Sequence, residues 1–174
     1  MSPDFGSAAK LLAPMNDVDV LSKIIDAFGG SPRPDHFTNY RHCCECAEHD
    51  ELLRGRDIDT LTVEDVGNPG WDPICFVTEE GFTYFIPALC RLALESVKSP
   101  SGWYPPQLLF HLNYQGKENQ HLLAASAAQR DAVVQLLIHI EDTRDELVRE
   151  YGVKEELALT IGLWANNALH GRRH

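Results

Sequence analysis

A chain of 174 residues, 44% hydrophobic and 24% charged, has the length and composition of one folded domain, which excludes wholesale disorder. Fifteen Lys and Arg against twenty-six Asp and Glu leave a formal charge of −11. That field repels phosphate backbones and anionic lipid surfaces and argues against nucleic acid or a membrane as partner. It suits a protein with a basic surface, or simply keeps a cytoplasmic protein dispersed.

The first sixteen residues mix Ser, Gly, Ala and Pro without a sustained period, so they read as a flexible lead-in rather than a secretory signal. Apolar uncharged stretches such as 74–78 and 81–90 are too short to span a bilayer. Asn16 or Asp17 then caps a helix with Val18, Leu21, Ile24, Ile25 and Phe28 on one face, ended by Gly29-Gly30. The prolines of 31–34 form a connector to a second helix over about 43–54, with Gly55 as its stop.

Thr62 and Asp65 open a short helical turn, 67–70 (Gly-Asn-Pro-Gly) is a tight turn, and 74–77 is a weak strand candidate without a partner run. Thr78 caps the most apolar helix, over 78–97, which Pro87 should kink or restart. Residues 99–106 form a loop carrying Trp103 and Tyr104, followed by a helix over 107–114 and a turn over 115–119.

Ser126 and Gln129 have the spacing of a capping box and open the longest helix, to about Tyr151 with Gly152 as its stop. Its buried stripe is Val133, Leu136, Leu137, Ile140, Leu147 and Tyr151, with His139 on the solvated side and an Asp145–Arg149 pair at i,i+4. A last helix over 154–169 buries Leu157, Ile161, Trp164, Ala165 and Ala168. The expected fold is a mainly α, single-domain bundle of five to seven helices around the Pro-broken central helix, with little or no sheet. It occupies 17–170, with 171–174 as a tail.

Chemistry concentrates in 42–49, His-Cys-Cys-Glu-Cys-Ala-Glu-His, which holds three of the five cysteines and two of the eight histidines. An odd cysteine count in a chain without a secretory signal reads as thiols or metal ligands rather than a disulfide framework. Cys43, Cys46 and His49 have a spacing that can bind zinc, because a residue at a helix start and two residues one turn apart can converge on a tetrahedral centre. Three ligands are not four, and His42, Cys44, His36, Cys75 or Cys90 are candidates to complete the set.

Two other readings stand beside the metal. In one, the cysteines are small buried hydrophobes and His49 an ordinary helix residue. In the other, a thiol at a helix N-terminus is activated by the dipole and by His42. No GxxxxGK[ST], GxGxxG or GxSxG segment is present, and neither an HxxEH peptidase nor an HxE deaminase pattern fits.

In order along the chain, HCCEC at 42–46, Gly67-Asn68-Pro69-Gly70-Trp71-Asp72-Pro73, Phe82-Thr83-Tyr84-Phe85-Ile86-Pro87-Ala88 and Ser126-Ala127-Ala128-Gln129-Arg130 follow one another. This order resembles a family of uncharacterised bacterial proteins with an HCxEC motif, classed only as a domain of unknown function. The resemblance covers about 18–150 and implies a bacterial source and one domain holding both the cluster and the Pro-broken helix; it brings no activity.

The expected function is therefore a non-enzymatic, cytoplasmic protein-binding domain, with a zinc site at Cys43, Cys46, His49 and His42 and a contact surface at Trp103 and Tyr104. The alternative is a metal- or thiol-dependent enzyme using Cys43, Cys46 and His49.

Overall fold

In the computed structural model, which describes residues 14–166, helices begin where a short polar side chain can take the free amides of a first turn. Asn16 and Asp19 form a capping box that opens α1, Asp17–Phe28. Cys43 caps α2, Cys44–Arg54, through its sulfur, and Thr62 with Asp65 opens the four-residue α3, Val63–Val66. Thr78 caps α4, Glu79–Glu95.

The expected loop at 99–106 gives way two residues early, because Pro105 and Pro106 fit the first turn of a helix, where no amide is missed; α5 is Pro105–Asn113. Asn119 caps α6, Gln120–Ala124, and a Ser126–Gln129 capping box opens α7, Ala127–Thr143. Helices α8, Asp145–Glu150, and α9, Lys154–Asn166, complete the described chain.

No strand is present among the described residues. The candidate at 74–77 is instead a 3₁₀ turn, Pro73–Phe76, capped by Asp72, and only an isolated bridge joins Val77 to Thr38. The mainly α bundle therefore stands as expected. Residues 1–13 of the expected lead-in, Ala168 and the tail at 171–174 lie outside the described residues.

Helix α4 is the centre of the fold, with α1, α5 and α6 packed on it, while α7 packs on α1 and α9. Twelve of its seventeen residues are buried, so burial all round replaces a single apolar stripe. Pro87 lies inside this helix without restarting it. An interior proline removes one backbone bond and costs about 3 kcal/mol, which the surrounding apolar contacts of Phe85, Ile86, Leu89 and Cys90 offset.

Three expectations change because of what packs where. Helix α1 buries Val20, Ile24 and Phe28, while Val18 (71% exposed) and Ile25 (55%) face solvent, since α1 lies between α4 and α7. The long C-terminal helix breaks at Arg144, whose guanidinium is drawn onto Asp17 at 2.6 and 3.0 Å. Thr143 Oγ1 meanwhile donates to the His139 carbonyl at 2.6 Å. His139 is buried, not solvated, because the start of α1 covers it and Asp17 meets its Nε2 at 2.7 Å. Leu147 and Tyr151 accordingly leave the α7 stripe for a separate helix end, where Tyr151 is 43% exposed. The Asp145–Arg149 pair does form, at 2.8 Å.

Candidate functional site

The 42–49 cluster is placed by a clamp on the segment before it. Buried Asp50 of α2 accepts the amides of Phe37 (2.6 Å) and Thr38 (3.1 Å) and meets His36 Nδ1 at 2.6 Å. Burial pushes the Asp50 carboxyl up, but the hydrogen bonds from His36 and from the two amides outweigh it and hold the group below the usual carboxylate range. Thr38 Oγ1 donates to the Cys46 carbonyl at 2.7 Å, and the Thr78 amide donates to Phe37 at 2.8 Å. Residues 36–38 are thus pinned between α2 and the start of α4.

The chain then turns, with the His42 amide donating to Asn39 at 2.9 Å, and enters α2 through extended Cys43. This brings three donors together. Cys43 Sγ lies 3.2 Å from Cys46 Sγ, Cys46 Sγ lies 3.7 Å from His42 Nδ1, and one donor atom from each of the three residues falls within 4.8 Å of the others. These groups are close enough to hold a metal ion.

Their electrostatics differ. The Cys46 amide and thiol, and then His42, lower the exposed Cys43 thiol to about 7, whereas the bond to Cys43 and burial raise Cys46.

The other expected ligands lie elsewhere. His36 pairs with Asp50 and stacks on Tyr40, Cys44 is exposed outside the group, and Cys90 is buried in α4. His49 also falls outside the three-donor group. Its ring is buried between Trp71 and Phe76, with centroids 4.5 and 4.6 Å away, and neither ring nitrogen has a hydrogen-bond partner among the described residues. Glu45 Oε1 approaches its Nε2 only to 3.7 Å.

Trp103 and Tyr104, expected as a contact surface, are core residues, 5% and 1% exposed. The Tyr104 amide donates to the Ser96 hydroxyl at 2.9 Å, which folds the loop inward, and Trp103 packs against Tyr151. The correction follows from aromatic area: two large rings in a loop bury as readily as they bind.

A second group was not anticipated. Asp72, Cys75 and His111 also place three donor atoms within 4.8 Å of one another. Asp72 Oδ1 accepts the Ile74 amide at 2.9 Å, while Oδ2 meets His111 Nε2 at 2.7 Å and accepts from Gln107 Nε2. Burial, then the Asp72 charge, push the Cys75 thiol up to about 11. The only signal in the sequence was Asp72 ahead of Pro73, a capping pattern; His111 is thirty-nine residues away.

No helix among the described residues is long and apolar enough to cross a membrane. Comparisons with protein-family models, with curated proteins and with solved structures found no match.

Proposed function

We propose that this chain is a zinc-binding protein whose ion is held by His42, Cys43 and Cys46 and ties the 39–43 turn to the first turn of α2. The convergence of the three donors carries the reading. Zn–S bonds of about 2.3 Å and Zn–N bonds of about 2.0–2.1 Å around a tetrahedron set donor separations of about 3.8 Å for S–S and about 3.5 Å for S–N. The observed 3.7 Å between Cys46 Sγ and His42 Nδ1 is close to this. The net charge of −11 draws cations toward the surface.

His42 and Cys43 are exposed, so a fourth position remains reachable from outside. His49 is the internal candidate for it, because a buried donor or acceptor without a partner costs roughly 1–3 kcal/mol and calls for an explanation.

Elemental analysis with cobalt(II) substitution tests this. One metal per chain, with a thiolate-to-cobalt charge-transfer band that is lost in Cys46→Ser, supports the site. A change in that spectrum in His49→Phe would assign His49 as the fourth ligand.

The 3.2 Å separation between the two sulfurs is shorter than a tetrahedral edge and favours one other reading, a reversible Cys43–Cys46 dithiol. Metal-free protein that forms this disulfide under mild oxidant, with no specific zinc uptake, would replace the metal reading with the redox one.

A further inference from the structure

His111, with Asp72 buried behind it, lies at the wall of a cavity of about 430 Å³, a size that suits a small organic ligand. Its apolar lining comes from Ile74, Val77, Phe110 and Tyr114, and Cys75 and His111 face the same space. Helix α5 is held in place on two sides. Buried Asn119 donates to the His111 and Tyr114 carbonyls at 2.8 and 2.9 Å, and Trp164 Nε1 donates to Leu112 at 2.9 Å.

A carboxylate can only accept, so in neutral His111 the proton sits on Nε2, directed at Asp72. The other nitrogen, Nδ1, is then a lone pair with no hydrogen-bond partner among the described residues. Cys75 is exposed in the same cavity, and its Sγ, a ring nitrogen of His111 and an oxygen of Asp72 lie within 4.8 Å of one another. A nucleophile, a base and a carboxylate that orients the base are thus grouped at one wall of the cavity, the set of residues that acyl transfer uses.

We propose that Cys75 and His111 form a nucleophilic centre, with Asp72 as positioning residue, that takes the acyl group from a short-chain activated ester or thioester bound in the 74–121 cavity. Cys75 Sγ adds to the carbonyl carbon as its proton passes to His111 Nδ1. The carbon–leaving-group bond then breaks, and the proton goes to the departing alcohol or thiol. Water attacks the resulting thioester with His111 again as base, releasing the carboxylic acid and restoring the thiol. Because the Cys75 thiol is pushed up to about 11, it stays protonated near neutral pH and depends on that base. The lining sets the substrate class: an apolar acyl chain fits against Ile74, Val77 and Phe110.

The probe is p-nitrophenyl butyrate on the full chain, read by nitrophenolate release and by peptide mapping of the acyl adduct. The expected results are butyryl-Cys75, steady turnover, and loss of both in Cys75→Ala, a change at an exposed thiol that leaves the core intact. His111→Gln keeps a donor for Asp72 but has no base, and should slow acylation roughly 100-fold or more. Alkylation of Cys75 by iodoacetamide at high pH should proceed unchanged in His111→Gln, which a merely structural role for His111 would not allow, and below about pH 11 should speed up in Asp72→Asn, which removes the charge that raises the thiol. Butyrylation confined to Cys43 or Cys44, turnover unchanged in Cys75→Ala, or acylation of Cys75 that is indifferent to His111→Gln overturns the proposal.

Discussion

Cys43 and Cys75 are both exposed thiols beside a histidine and a third donor, yet their surroundings push them in opposite directions. Cys43 caps a helix and accepts the Cys46 amide, so its thiol is lowered to about 7. Cys75 sits beside buried Asp72 and is raised to about 11. The first site is assembled within five residues by the geometry of one helix start. The second joins residues thirty-nine apart, through the packing of α5 against the Pro73–Phe76 turn. A local site tolerates the loss of a member without cost to the fold, whereas a site built on a buried carboxylate is part of what holds the fold together.

The largest expected break in this contrast is Asp72→Ala. It strips the partner from the Ile74 amide, Gln107 and His111 at once, and should cost about 3 kcal/mol in a denaturant titration. The exposed His42→Ala should stay within about 0.5 kcal/mol without metal. Equal costs would mean that the two sites are built alike.

Thiol reactivity comes next. In reduced, metal-free protein near neutral pH, the four-unit gap between about 7 and about 11 favours the Cys43 thiolate by several thousandfold. Part of that is returned by its weaker nucleophilicity, which leaves roughly 50- to 100-fold faster alkylation of Cys43 by iodoacetamide in mass-resolved kinetics. Comparable rates would remove the electrostatic distinction.

Acid should also separate the two regions. At the cavity, burial first and then His111 lower His121 from 6.5 to about 4. Between those values the unfolded chain binds a proton that the folded chain refuses, so stability falls as pH drops from about 6.5 to about 4. The loss is about 2 kcal/mol, allowing for the part of the ring that water reaches. His121→Phe, which keeps the stack on Phe82, should flatten that limb of a Tm-against-pH curve. Around α2 the window is lower. Asp50 is held below its ordinary 3.8, so its contribution is intact above that value and lost only as pH falls through the folded value. His121→Phe should leave that more acidic limb in place.

The smallest effect is Cys43→Ser in the absence of metal, no more than a few tenths of a kcal/mol, because a serine hydroxyl is itself a preferred helix cap. The readout that sharpens the comparison is zinc. Ion at about 100 times its dissociation constant should stabilise the native chain by about 2.7 kcal/mol, and Cys43→Ser should abolish that gain while Cys75→Ala keeps it.

Local chemistry made much of the molecule legible in advance. Asn16, Thr62, Thr78 and Ser126 cap helices where their spacing to the following polar residues says they should, and Gly29 and Gly55 end two of them. Caps and stops act within one turn of backbone, so adjacent residues carry the information. The same range limit explains why Cys43 and Cys46, with His42 among the candidates to complete the set, could be picked out before any fold was known.

The tertiary structure decided whatever depends on which surface meets which. It turned α1 to bury Val20 rather than Val18, drew Arg144 to Asp17 and so split the last long helix, and folded Trp103 and Tyr104 into the core. It also set His49 between Trp71 and Phe76, outside the thiol group, and brought His111 onto Asp72 beside Cys75. The physical reason is the same in each case. Helix starts are fixed by hydrogen bonds between near neighbours along the chain, whereas burial and long-range ion pairs are fixed by the helix that happens to cover a face, and no residue specifies its cover by itself.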